Sequence, residues 1–419
     1  LTQHLMSFLK INTLPKRANY GVVRTKTSHF CTQMKQLKVN ESVLDNTSHK
    51  ISNFNRINNY NDRVGIWLLT CSGMVFGMVV VGGLTRLTKS GLSMTDWKFH
   101  GGFPPLNDKE WTNEFNKYKN YPEWERVNQD MTLSEFKKIY AWEYGHRMYG
   151  RVIGLSFTLP FIYYTYKGYI NRTMYKRLGL LFGIGFSQGL VGWWMVKSGL
   201  KEHGNETYNN LPKVSPYRLA THLGVAFFIY MGLLYNGMYS YSQRNTILTA
   251  LNELNIKSPM PAPNMFRYMS MTMVGLSTIT ALAGAFVAGN EAGLVYNEWP
   301  KMGLGYIPSD IISPYINPKW RNIFENSSTV QFIHRNSAYL TVLFSYGILL
   351  YSKRIPNLSN HVRIASYTLA TATTLQAGLG IYTLLNYCPI NLASLHQSGS
   401  MIILSVAIWL MFISRSRGY

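Results

Sequence analysis

Acid is the scarcest of the charged chemistries in this chain: 19 Asp and Glu stand against 41 Lys and Arg, a net charge of +22 over 419 residues. Residues 1–40 contain no acid at all, and the stretch Ile364 to Ser414 carries no Asp, Glu, Lys or Arg. Cysteine is equally thin. Cys31, Cys71 and Cys388 form no close pair and no CxxC, which argues against a disulfide framework or a cysteine zinc site. Cys388, alone near the expected outer surface, reads as a redox thiol or, as lone cysteines more often are, an inert one. A soluble nucleic-acid binder can be this basic, but here the positive residues flank apolar stretches instead of forming one patch, so no nucleic-acid partner is expected.

Long apolar runs are abundant. A bilayer core of about 30 Å asks for about 20 apolar residues per helix, and eight stretches meet or approach that demand: 64–84, 144–166, 178–196, 217–242, 268–290, 333–352, 364–387 and 392–413. Asn386, Pro389 and Asn391 suit a tight turn between the last two. The pattern predicts an all-α membrane protein of eight transmembrane helices. Lys167, Arg172, Lys176 and Arg177 lie between the second and third spans without an acid, as do Lys353, Arg354 and Arg363 between the sixth and seventh, and Arg415 and Arg417 close the chain. Residues 85–143 balance nine basic against nine acidic residues. Positive-inside reasoning therefore puts both termini inside and the four odd-to-even loops outside. Lys10, Lys16, Arg17, Arg24, Lys26, Lys35 and Lys38, with several Ser and Thr, give residues 1–40 the composition of a mitochondrial transit peptide, to be set aside from fold reasoning. Inside then means the matrix and outside the intermembrane space, with the protein in the inner membrane among lipid.

The chain repeats itself. Gly91-Leu-Ser-Met-Thr-Asp-Trp97 after the first span matches Gly293-Leu-Val-Tyr-Asn-Glu-Trp299 after the fifth, at an offset of 202. His146-Arg147 matches His334-Arg335, and Gln188 to Gly192 (QGLVG) matches Gln376 to Gly380 (QAGLG), both at an offset of 188. Leu-Ala-Thr-His222 and Leu-Ala-Ser-Leu-His396 open the fourth and eighth spans. Two pseudo-symmetric four-helix halves follow, 64–242 and 268–414, related by an axis along the membrane normal.

Each half presents two histidines, His146 and His222 in one, His334 and His396 in the other, at the outer beginning of an even-numbered span. Ionisable groups inside a membrane mark functional sites and face the bundle interior. One or two turns on, the same faces carry Gly150 and Gly154, Val225 and Ala226, Ser337 and Ala338, and Gly399 and Ser400; such mostly small residues leave room for a flat macrocycle or allow close helix packing. Two imidazoles on different helices make a poor zinc or di-iron site, whereas porphyrin iron needs only an axial pair. Arg147, Arg151 and Arg335 can pair with haem propionates or snorkel to headgroups. Glu143, one turn before His146, has Gln331 as its counterpart. It can accept a proton or stabilise a developing cation, or merely complement the helix dipole. The asymmetry suggests that the first half reacts and the second serves.

GGLTRLTKSGLSMTDW at 82–97, EYGHRMYGR at 143–151, RLATHLG at 218–224, AGNEAGLVYNEWPKMG at 288–303, FIHRNSAYL at 332–340 and LHQSG at 395–399 resemble the haem A synthase family over nearly the whole mature chain. The resemblance implies oxidation of a methyl group of haem O to a formyl by successive hydroxylations, with loss of water from the gem-diol. It implies a resident haem b held by His334 and His396, His146 and His222 as ligands or positioning groups for the substrate haem O, and Glu143 as the acid required for chemistry. It also implies a ferredoxin electron donor and a handover from haem O synthase. Some bacterial relatives carry cysteine pairs in the outer loops; this chain has only Cys388 there. Association with a second copy is left open. Two other readings remain beside the enzyme: a two-haem b-type transmembrane electron carrier, and a haem-binding assembly factor without turnover.

Overall fold

The computed structural model describes residues 41–96, 101–200, 213–242 and 262–415, with side chains from residue 62 onward. The acid-free leader, Cys31, Trp97 and Arg417 lie outside them. The described chain divides into a unit ending at Asn59, of which only helical backbone is described, and a compact unit from Tyr60 onward, to which the rest of this account refers.

The architecture is helical throughout the described residues, apart from an isolated bridge between Met302 and Gly305. In order come α1 (Glu41–Leu87), the short helices α2 (Asp108–Tyr118) and α3 (Pro122–Val127), then α4 (Leu133–Tyr166), α5 (Arg172–Gly199), α6 (Pro216–Ser242) and α7 (Asn264–Asn290). After a long loop and the one-turn α8 (Asn322–Glu325) follow α9 (Ser327–Arg354), α10 (Asn360–Leu385) and α11 (Ile390–Ile413). All eight predicted spans thus fall on long helices. Residues Asp62–Leu87 of α1, and helices α5, α6, α7 and α11, are long and apolar enough to cross a membrane. The other three, α4, α9 and α10, carry more polar groups: α4 has Glu135, Lys137 and Lys138 in its first turns, and α10 includes Thr371, Thr373 and Thr374.

Two apolar clusters hold the bundle. One joins Leu68 of α1, Phe157 of α4, Leu178 of α5 and Phe227 of α6, and extends to Met401 and Leu404 of α11. The other joins Met273 of α7, Ile348 of α9, Leu369 of α10 and Leu410 of α11. Lipid tails are as apolar as leucine, so helix specificity in a bilayer comes from packing and from hydrogen bonds between helices. Trp67 Nε1 donates to the Ser156 carbonyl at 2.9 Å, the Tyr230 and Ser405 hydroxyls meet at 2.6 Å, and those of Ser345 and Thr373 at 2.7 Å.

The expectation that each histidine stands near the beginning of its span fails for the helix of His146, since that residue is 13 residues beyond the start of α4 at Leu133. The reason is local. Thr132 and Glu135 form a reciprocal capping box, and the extra turns bury Phe136 and Tyr140 against Phe115 and Tyr118 of α2. His222, His334 and His396 lie six, seven and six residues into their helices.

This outer aromatic knot holds an acid. Glu123, 6 % exposed, accepts a hydrogen bond from the Tyr118 hydroxyl at 3.0 Å, and that hydroxyl accepts one from Asn128 at 2.7 Å. Burial pushes the Glu123 carboxyl up to about 7, ahead of the opposing Tyr118 hydrogen bond and the repulsion of Glu143, while Arg86 and Lys89 pull it down. A carboxyl with a raised folded-state pKa binds its proton more tightly folded than unfolded. Its contribution is therefore fully present below the unfolded value near 4.5 and is lost as pH rises to about 7. Glu123→Gln is expected to remove this loss, on the order of 3 kcal/mol at most, and to flatten the pH dependence of thermal stability between those limits. Parallel melting curves for both proteins across that window would contradict it.

Candidate functional site

Each of the four histidines packs its ring against a glycine of the long helix before it. A Cβ on Gly82 of α1 would stand 3.1 Å from His146 Nε2; one on Gly192 of α5, 3.1 Å from His222 Cε1; one on Gly284 of α7, 3.0 Å from His334 Cε1; and one on Gly380 of α10, 2.7 Å from His396 Cε1. The Gly380 contact is closer than real Cβ atoms show, and at the other three a side chain would make the histidine ring give way by a few tenths of an ångström. Gly82 and Gly284 are related by the repeat offset of 202, and Gly192 and Gly380 by 188. Yet all four histidines keep part of their surface accessible, as groups lining a cleft would.

In the second half the two imidazoles come together. The ring centroids of His334 and His396 are 6.2 Å apart and their planes stand at 89°. Two metal–nitrogen bonds of about 2 Å and two ring half-widths of about 1 Å span about 6 Å, so the pair has the separation of trans axial ligands on one iron. His334 Nδ1 lies 3.1 Å from the Thr280 carbonyl. Such a backbone acceptor fixes the proton on Nδ1 and leaves Nε2 as the ligating nitrogen. The residues present therefore fit a bis-imidazole haem. Among the described residues no such ring contact joins His146 and His222, and His146 turns its Nε2 edge, not Cε1, toward its glycine.

Glu143 is 2 % exposed and engages on both oxygens. Oε2 accepts from Ser93 Oγ and the Met94 amide, each at 2.7 Å, and Oε1 accepts from Arg147 Nη2 at 2.6 Å. Arg147 also donates to the Met94 and Asp96 carbonyls at 2.9 and 3.0 Å. The same clamp recurs without charge in the second half. Gln331 donates to the Ala292 and Tyr296 carbonyls at 2.9 and 3.2 Å and accepts from Arg335, which itself donates to the Tyr296 and Lys301 carbonyls. Both arginines thus brace the repeated loop after the first or fifth span. Arg335 Nε remains buried without a hydrogen-bond partner, beside a cavity of about 250 Å³ lined by Trp299, Met302 and Tyr339. The Arg151 guanidinium lies under Gly101, where a Cβ would come within 3.0 Å and the backbone φ of +81° itself favours glycine.

The small residues beyond the histidines divide. Gly154 faces open space, but a Cβ on Gly150 would meet Met78 at 3.2 Å, and one on Gly399 would collide with the Gln376 amide. Those two are helix-packing positions. Gly83, next to Gly82, is likewise covered by the Gln397 amide of α11, whose Nε2 donates to the Val79 carbonyl at 2.7 Å. Sequence reading passed over Gly82, Gly284 and Ser93, although the first two sit at the repeat offset.

Fold and site together define a multi-pass helical membrane protein with imidazoles from neighbouring helices gathered in its interior. The model of the COX15-CtaA family, described as cytochrome oxidase assembly protein, matches residues 65–408. The chain is 45 % identical over 349 residues to Heme A synthase COX15 of Bos taurus, covering 83 % of this chain and 81 % of that one. It is 41 % identical over 371 residues to its namesake in Saccharomyces cerevisiae, covering 84 % and 75 %. A Heme A synthase-mitochondrial ferredoxin fusion protein of Schizosaccharomyces pombe is 40 % identical over 364 residues, covering 83 % of this chain and 59 % of the fusion. The chain belongs to the haem A synthase family.

Proposed function

We infer that this protein is a haem A synthase, an enzyme that oxidises the methyl group of haem O to a formyl group and so provides haem A for cytochrome oxidase. The observation that carries this is identity of 45 % to a heme A synthase over most of both chains, on a scaffold whose second half presents an imidazole pair at axial-ligand spacing.

The finer assignment divides the labour between two four-helix halves of an eight-span protein. His334 and His396 hold a resident haem b, supported by their 6.2 Å separation and the Thr280 carbonyl behind His334. That haem, when bound, supplies one-electron redox chemistry at a fixed place in the bundle. His146 and His222 orient haem O in the first half. Glu143 stands one turn before His146, and three of the roughly four lone-pair positions of its carboxylate are filled. One position is left to accept a proton or to face positive charge developing at the reacting carbon. Arg147 fixes that carboxylate, while Arg151 and the unpartnered Arg335 Nε are the groups offered to propionates.

Lys167, Arg172, Lys176, Arg177, Lys353, Arg354, Arg363 and Arg415 gather at the helix ends opposite the histidines, which supports termini in the matrix and sites facing the intermembrane space of the mitochondrial inner membrane. The fusion relative supports a ferredoxin as electron donor. The test is pigment extraction from purified protein, followed by incubation with haem O and a ferredoxin reducing system. Haem B together with haem O or A, and conversion of O to A, are expected. Haem-free protein without turnover would overturn the reading.

A further inference from the structure

The repeated glutamines Gln188 and Gln376 have no role in what precedes. Each stands one turn before the glycine that receives a histidine ring, and each reaches the same histidine. Gln188 Nε2 donates to the His222 carbonyl at 2.8 Å. Gln376 Nε2 donates to the His396 carbonyl at 2.6 Å and lies 3.0 Å from His396 Nδ1. Each ring is thus bounded on one side by glycine and on another by an amide anchored to the histidine's own backbone. In the first half, Gln188 Oε1 and His222 Nδ1 are both buried without a partner. A turn of the tethered amide would let one accept from the other. No hydrogen bond is made by Nε2 of His334 or His396 among the described residues.

We propose that Gln188 and Gln376 are positioning residues that set the rotation of the His222 and His396 imidazoles about their side-chain bonds and keep Nδ1 toward the helix neighbour; with iron on Nε2 the proton sits on Nδ1, so the Gln376 amide then turns to present Oε1 to it, in place of the Nε2 contact of the metal-free ring. For His396 the consequence is the 89° angle to the His334 plane. The proposal rests on the reading of His334 and His396 as axial ligands. Groups that hold a ligating histidine commonly matter to metal affinity by about 10- to 100-fold. A lost tether also frees the ring to turn, since the glycine opposite sets a limit of approach but no direction.

Electron paramagnetic resonance of the oxidised, full-length protein reads that angle directly. Perpendicular imidazole planes on low-spin ferric iron give a strongly anisotropic signal, and near-parallel planes give an ordinary rhombic one. The unaltered protein is expected to show the first. Gln376→Met, which keeps the volume but not the hydrogen bonds, is expected to convert the signal toward the second and to speed haem loss on dialysis by about tenfold or more. Gln188→Met should leave that signal unmoved while raising KM for haem O, which separates the two halves. A Gln376→Met protein that retains its haem with an unchanged signal would overturn the proposal alone. Absence of any bis-imidazole signal from the unaltered protein would overturn the ligand assignment beneath it. Should Gln376→Met fail to accumulate, Gln376→Asn, whose shorter amide cannot reach both partners, carries the same expectation.

Discussion

Glu143→Gln is expected to reduce haem A formation by about 100-fold or more, the usual scale for a proton-transfer group, while leaving the haem content of the protein unchanged. The structure makes this substitution unusually clean. In the second half a glutamine already occupies the corresponding place: Gln331 donates to two loop carbonyls and accepts from Arg335, so an amide can hold this loop. What it cannot supply is an acceptor-only group with a negative charge 2.6 Å from the Arg147 guanidinium. The measurement is chromatographic separation of haems B, O and A from equal amounts of purified protein. Haem A at the unaltered level would remove Glu143 from the chemistry and leave it a loop brace. Loss of every haem together would mean that the Ser93 and Met94 contacts had failed and the first half had opened.

The second large effect concerns the histidines. His334→Ala and His396→Ala are each expected to bring the resident haem down to background, because a haem held by these two imidazoles would lose half of its protein ligands with either change. His146→Ala and His222→Ala are expected to keep that haem, with its spectrum unaltered, and to stop turnover. Absorption spectra of the reduced proteins, normalised to protein, decide the matter. Equal haem loss from all four variants would merge the two halves into one function and refute the division of labour.

Much of this was legible in the sequence because membranes force a coarse grammar: spans must be apolar, loops inside must be basic, and an imidazole at depth needs a reason. The four histidines, the repeat and the positions of the long helices followed from those constraints. The start of α4 was placed 11 residues late, at 144 instead of 133, although Thr132-Leu-Ser-Glu135 is a capping box written in consecutive residues. The contacts of Glu143 were not. Ser93 and Met94 lie about 50 positions away, and nothing in either segment states that they meet. Nor could the role of Gly82 be read, because a glycine in an apolar helix is equally a sign of lipid-facing, packing or ligand-facing surface until its neighbour is known. The Gln188 and Gln376 motifs were visible as a repeat, but only the helix pairing reveals that each amide reaches a histidine.

One turn of α1 has a consequence for the way the two centres behave. Gly82 touches the His146 imidazole, and Gly83 touches the side chain of Gln397, which directly follows His396. A side chain at Gly82 would press on the His146 ring and one at Gly83 would strike the Gln397 amide, so a single substitution in this turn of α1 disturbs α4 or α11 beside a histidine.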